Sequence, residues 1–374
     1  MEPSAWSANS GKKKPRVGED LLETALAIGG WLMIGASLLP LSRSDVWWVR
    51  IFEFPRLQLT LCFLVIFVMY VLVREDPSAA DHVFLGLLAA CLTYQLWRMY
   101  PYTPLARVEV ERGSRRDDES AVGILISNVY MDNRNTHVLR ELIAENDPDL
   151  MLFVETNAWW EQALSDLQDN HPFTVRSIKE NTYGMLLFSR LELRNARVQF
   201  LVQDDVPSIA TEVLLPSGKS IQLRCVHPRP PAPQESDRSA ERDAELLIVA
   251  KEMQGCDDPT IVAGDLNDVA WSRTNTLFKR ISGLVDPRVG RGFFSTFNAR
   301  WPMLRYPLDH VFCSTQFRVL AFKVLRNCGS DHFPVFARLS LEPSATAEPR
   351  EPPPSPDDQQ EAREKINAVE PRGR

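Results

Sequence analysis

The chain has 374 residues, 44% of them apolar, and a formal net charge of −7. That length admits one large domain or two ordinary ones with a sizeable core. The acidic balance excludes a surface built throughout for duplex nucleic acid, and six scattered cysteines with no Cys-x-x-Cys spacing exclude a zinc framework or a dense disulfide set.

The apolar residues are unevenly spread along the chain. Residues 1–20 are polar and carry Lys12, Lys13, Lys14 and Arg16, the positive flank expected of a cytoplasmic N-terminus. Residues 21–100 read as a transmembrane region with spans at about 21–40, 57–73 and 82–98. The first holds one charge, Glu23, and is long for a cleaved signal peptide. The second has no charge, and the third carries Thr93 and Gln95. Trp47 and Trp48 in the first loop fit an interfacial belt. Three crossings predict a multi-pass protein of the inner (plasma) membrane, with everything after Trp97 periplasmic. The bilayer is then the one constant partner, and no obligate protein partner is predicted.

Residues 101–120 are rich in charge and read as a linker. From 121 to 341 short apolar strands alternate with amphipathic helices, the pattern of a layered α/β domain. Residues 342–374, rich in Pro, Glu, Asp, Gln and Arg, are predicted to be disordered.

Within 121–341, polar residues recur where strands end. Asn128 follows Ile124-Leu125-Ile126-Ser127, and Glu155 follows Met151-Leu152-Phe153-Val154. His227 follows Leu223-Arg224-Cys225-Val226. Thr260-Ile261-Val262-Ala263-Gly264 leads into Asp265, Leu266 and Asn267, with Asp265 and Asn267 two residues apart and so on one side of an extended segment. Asp309 and His310 open the strand Val311-Phe312-Cys313, and Asp331 and His332 sit in Ser330-Asp331-His332-Phe333-Pro334. Each side chain is able to ligate a metal, move a proton or hold a phosphate oxygen. Strand ends gathered on one edge of a layered fold are where sites assemble. The oxygen-rich set suits Mg²⁺ or Mn²⁺ better than zinc.

In order and spacing these motifs resemble the endonuclease/exonuclease/phosphatase superfamily, the fold of deoxyribonuclease I, apurinic endonucleases, sphingomyelinases and inositol-polyphosphate phosphatases. With three spans in front, the chain looks most like a bacterial membrane-anchored branch of it. The resemblance implies a four-layer α/β sandwich, two packed β-sheets flanked by helices, after the three transmembrane helices. It implies metal-dependent hydrolysis of phosphodiesters, or of phosphomonoesters, in nucleic acid or phospholipid. Glu155, with Asn128 and Asp331, would hold Mg²⁺ or Mn²⁺. His332, oriented by Asp309, would stabilise the scissile phosphate or take a proton from water. Asp265 would act on the attacking water, Asn267 would hold a phosphate oxygen, and His227 would stand at the leaving group. Arg229, Arg273 and Arg305 are the arginines expected to meet substrate phosphate, with Arg288 and Arg291 in the same loops. The alternative is a membrane-anchored binding module that keeps the fold without catalysis.

Overall fold

The computed structural model describes residues 17–113, 119–232, 235–342 and 347–369. The basic cluster expected at the N-terminus lies outside the described residues, as do 114–118 of the expected linker. The described chain forms two compact units, one within Met1–Leu39 and Leu57–Gln95, the other within Pro40–Arg56 and Leu96–Arg374.

The first unit holds α1 (Val17–Leu38), and a short α2 (Trp47–Arg50) in the following loop belongs to the second. α3 (Arg56–Val73) and α4 (Ala79–Met99) come next. All three long helices are long and apolar enough to cross a membrane, with mean hydropathy 1.7, 2.2 and 1.3. α4 starts where Ser78 and Asp81 bond each other's backbone N–H, at 2.7 and 3.3 Å. Gly30 lets α1 approach closely, since a Cβ there would lie 2.3 Å from the Phe84 ring. Arg74 at the end of α3 pairs with Glu23 at 2.6 Å and Asp81 at 3.2 Å, so the polar groups at that end answer one another.

The second unit contains two mixed sheets. β1 (Ala121–Asn128), α5 (His137–Asn146), β2 (Leu150–Val154), α6 (Ala158–Ala163), β3 (Phe173–Ser177) and β4 (Met185–Ser189) come first. β5 (Leu193–Gln199), β6 (Ser208–Leu214), β7 (Ser220–Cys225), α7 (Ala240–Met253), β8 (Thr260–Asp265) and α8 (Arg273–Ser282) follow. β9 (Asp309–Cys313), β10 (Phe317–Val324), β11 (Val335–Leu341) and α9 (Pro356–Asn367) complete it. The strand order is β10-β11-β1-β2-β4-β3 in one sheet and β5-β6-β7-β8-β9 in the other. Each sheet holds one parallel pair, β1 with β2 and β7 with β8.

The facing sides of the sheets make one apolar core that includes Ile124, Leu152, Leu187, Leu223, Ile261 and Val311. α5 and α6 cover the first sheet through Leu139, Leu142 and Trp160. α7 and α8 cover the second through Leu246, Leu277 and Phe278. β1, β2, β4, β8 and β9 are buried along their whole length, which is why they read as continuous apolar runs without alternation. Ile124→Ala would leave a cavity between the sheets and cost about 2–5 kcal/mol. The expected three apolar helices and four-layer sandwich are both present.

Two boundary expectations need correction. The tail is not wholly disordered: α9 forms, opened by a capping box between Ser355 and Asp358 with Pro356 in its first turn. It buries Ala362 against the α7–α8 layer and pairs Asp358 and Glu361 with Arg273, at 2.9 and 2.6 Å. A stretch with too little apolar surface to fold alone is held by ion pairs to basic α8 and by burial of Ala362. Residues 343–346 and 370–374 lie outside the described residues. The stretch expected as a linker is also packed in part. Val110 joins the core, and buried Glu109 accepts from the backbone N–H groups of Asp286 (3.0 Å) and Arg350 (2.7 Å).

Candidate active site

The parallel pairs deliver their C-terminal ends to one edge. β1 ends at Asn128, β2 is followed by Glu155, β7 leads to His227 and β8 ends at Asp265. β9 runs antiparallel to β8 with Asp309 directly opposite Asp265, and His332 stands three residues before β11. Chain topology therefore brings together six residues spread over 205 positions of sequence, from 128 to 332.

Asn128 is the hub. Its Nδ2 donates to Glu155 Oε1 at 2.7 Å and to Asp265 Oδ2 at 3.1 Å, while its Oδ1 accepts from Tyr130 N–H at 3.0 Å. That third bond fixes which end of the amide faces the carboxylates. Asp265 Oδ2 also lies 3.6 Å from His332 Nδ1 and 3.9 Å from His227 Nε2. His332 Nδ1 is 2.9 Å from Asp309 Oδ2, a hydrogen bond that places a proton on Nδ1.

The backbone is held in unusual shapes here. Glu155 and Asn267 both have left-handed φ, 57° and 50°, which costs a non-glycine residue free energy. At Asn267 the bond from its N–H to Asp265 Oδ1 (3.0 Å) helps to offset that cost. Gly264 is obligatory: its φ is 149°, and a Cβ there would lie 1.9 Å from the Val226 carbonyl oxygen.

Burial sets the charges. Burial pushes the Glu155 carboxyl up to about 7, against the Asn128 hydrogen bond, with Asp331 and Asp265 adding repulsion. Burial opposes charge on His332, but the Asp265 and Asp309 carboxylates outweigh it and hold the imidazolium up to about 10. Burial pulls His227 down, so its ring is neutral near pH 7.

Asn128, Glu155, Asp265, Asp309 and His332 thus form one bonded cluster, and His227 stands at its border. Asp331 is close enough to repel Glu155, and its Oδ1 accepts from Ser330 Oγ at 3.4 Å. Asn267 adjoins the cluster, but its amide donates to the Pro228 carbonyl at 3.0 Å. Arg229 is near the site: it lies over the Tyr183 ring, which is 5.7 Å from the His227 ring, and pairs with Asp205 at 2.7 Å. Arg305 lies over Phe333, the neighbour of His332. Arg273 directs its guanidinium to Asp358 and Glu361 of α9. Arg288 is wholly buried on Asp286 and His310, and Arg291 bonds the carbonyls of Pro287 and Val110.

Several supporting residues gave no signal in sequence. Thr296 Oγ1 accepts from the N–H groups of Leu308 and Asp309, both at 3.2 Å, and so sets the start of β9. The Phe297 ring lies 4.9 Å from the His332 ring. Arg242 donates to the Asn267 carbonyl at 2.8 Å from the buried side. None of the three belongs to a local motif.

The family model described as endonuclease/exonuclease/phosphatase matches residues 125–332, more than half of the chain. The chain belongs to the endonuclease/exonuclease/phosphatase family. Members are typically hydrolases of phosphoester bonds and generally use divalent metals. Solved structures similar to this family member include TDP2 of D. rerio complexed with a single-strand DNA product, at 16% identity and TM-score 0.48, covering 59% of this chain and 99% of that one. An endonuclease/exonuclease/phosphatase from Beutenbergia cavernae matches at 16% identity and TM-score 0.48, covering 60% and 72%. The human nocturnin catalytic domain with bound sulfate matches at 17% identity and TM-score 0.47, covering 60% and 96%. No curated protein matches the chain.

Two sets of side chains offer themselves to a divalent ion. One atom each from Asp265, Asp309 and His332 lie within 4.8 Å of one another. In that set the imidazolium already stands between the two carboxylates. Glu155 instead is hydrogen-bonded by a neutral amide; His332 attracts it, Asp331 and Asp265 repel it, and the bond it accepts comes from no cation. The carboxylate oxygens of Glu155 and Asp331 fit Mg²⁺ or Mn²⁺. The expectation of Asn128 as a third ligand is corrected, because its Nδ2 faces Glu155 and its Oδ1 is taken by Tyr130 N–H, so it orients the carboxylate.

Proposed function

We propose that the protein is a membrane-anchored, divalent-metal-dependent phosphoesterase. The observation that carries this reading is the single bonded cluster of Glu155, Asn128, Asp265, Asp309 and His332 at one sheet edge. Glu155, oriented by Asn128, and Asp331 would hold Mg²⁺ or Mn²⁺, which when bound supplies Lewis-acid stabilisation of phosphoryl oxygens. The side chains divide the rest of the work. The His332 imidazolium offers positive charge to the oxygens on which charge grows, a role its raised proton affinity favours over that of base. Asp309 keeps the Nδ1 proton in place. Burial raises the Asp265 carboxylate's affinity for a proton, suiting it to draw one from the attacking water. The water oxygen forms the new P–O bond, the ester P–O bond breaks, and a proton reaches the leaving oxygen. Neutral His227 borders that position as a hydrogen-bonding group. A pure binding module has no use for a carboxylate-oriented imidazolium beside a second buried carboxylate, which disfavours that alternative.

The same unit contains both the Pro40–Arg56 loop and everything after Leu96. Three crossings by α1, α3 and α4, long and apolar enough for it, would put the first loop and the domain on the same side, in keeping with their membership of one unit. With the basic N-terminus inside, that side is the periplasm. The test is turnover by the full-length protein in detergent, on a panel of bis(p-nitrophenyl) phosphate, oligonucleotides and phospholipids. Hydrolysis that requires Mg²⁺ or Mn²⁺ and stops in EDTA is expected. Undiminished hydrolysis in EDTA, or none of any substrate, overturns the reading.

A further inference from the structure

The largest exposed apolar side chains near the site are on one loop. Phe297 and Tyr306 pair through backbone hydrogen bonds, Asn298 N–H donates to the Leu304 carbonyl at 3.0 Å, and Leu304 N–H to Trp301 at 2.9 Å. This closes a short hairpin whose tip exposes Trp301 (65%), Met303 (76%) and Leu304 (48%). Single exposed apolar residues are ordinary; three together on a projecting tip are not. Arg300 and Arg305 flank the tip.

The base of the hairpin belongs to the site. Phe297 bridges His332, and Ala299 N–H donates to the Asp331 carbonyl at 2.7 Å. The same base touches the loop between the first two membrane helices: the Phe54 and Tyr306 rings meet edge to face at 5.6 Å. Phe54 stands two residues before α3 begins, and Tyr102, three residues after α4 ends, joins the same apolar cluster with Trp271 and Leu308. A short loop whose two ends run into membrane spans lies at the bilayer surface. The hairpin base, which bridges His332, touches that loop at Phe54.

We infer that the Trp301–Leu304 tip enters the bilayer that anchors the protein, and that the substrate is a membrane lipid bearing a phosphoester headgroup. This deepens the phosphoesterase reading and rests on it. Four residues of extended chain carry the tip roughly 13 Å beyond Phe297. Arg300 and Arg305 are then placed for anionic lipid phosphates. A nucleic acid would gain nothing from an apolar tip with an exposed methionine and leucine.

The test uses full-length protein in liposomes of phosphatidylglycerol and phosphatidylcholine. Headgroup release from those lipids is compared with hydrolysis of bis(p-nitrophenyl) phosphate and of an oligonucleotide. For the variant W301S/M303S/L304S the ratio of lipid to soluble-diester turnover should fall about tenfold or more. Brominated phospholipid should quench the fluorescence of the natural protein more than that of Trp301→Phe, a readout independent of catalysis. An unchanged ratio, equal quenching, or cleavage of the oligonucleotide alone overturns the lipid assignment and leaves the phosphoesterase reading standing. Hydrolysis of none of the three substrates, with selective quenching at Trp301, overturns the phosphoesterase reading and leaves membrane insertion standing.

Discussion

Two buried charged clusters lie close together in the second unit, and they are built on opposite principles. Behind the site, Arg50, Arg242 and Lys365 meet Glu53, Asp243 and Asp268, and each has an opposite charge within 3.9 Å. At the site, the carboxylates of Glu155, Asp265, Asp309 and Asp331 surround one imidazolium, His332. Charge removed from water costs several kcal/mol per ion unless it is matched. The first cluster matches its charges and joins the interspan loop, α7, α9 and the turn after β8. The second leaves negative charge unmatched, a cost that makes sense where a cation and a phosphate are to be handled. The difference separates charge that fixes a shape from charge that waits for a ligand.

The largest effect on catalysis is expected at the imidazolium. His332→Ala should cut turnover by roughly three to four orders of magnitude. Asp309→Asn should cost less, because the ring remains while its orienting charge is lost. The double variant should be little worse than His332→Ala alone, since both act on one step. Steady-state kinetics, with circular dichroism to establish folding, gives the cycle; additive losses would separate Asp309 from His332 and give it another task.

The matched cluster should answer differently. Arg242→Ala leaves Asp268 and Asp243 buried with a partner missing and should destabilise the fold by about 3–5 kcal/mol. Denaturant unfolding of the full-length protein measures it. A change below about 1 kcal/mol would show that the matching of charges there is not structural. The same reasoning bears on domain boundaries, because a fragment of residues 106–341 lacks Arg50, Glu53 and Lys365 and should be less stable than the whole chain.

Much of this was legible in sequence, and the limits have a physical cause. The buried strands and the polar residues that end them are local features: an apolar run of five to eight residues followed by Asn128, Glu155 or Asp265 declares itself. The choice of partner is non-local. Arg273 and Arg229 look alike in sequence, yet Arg273 is held by Asp358 and Glu361 of α9, and Arg229 by Asp205 and the Tyr183 ring beside His227. α9 reads as disordered because its stabilising cations belong to α7 and α8. β3, with no clear alternation of burial, gave no strand signal. Thr296, Phe297 and Arg242 act on the site only through contacts that the fold creates.

The account stands most directly on the claim that the unmatched charge at Glu155 is a divalent-cation site. Mn²⁺ titrated into the metal-free, full-length protein should bind and raise its melting temperature. Glu155→Gln keeps the shape and removes the charge, so the variant should match or exceed the metal-free stability of the natural protein and lose most of the Mn²⁺-induced rise. An equal rise in both proteins would contradict the assignment of Glu155 as the cation's ligand.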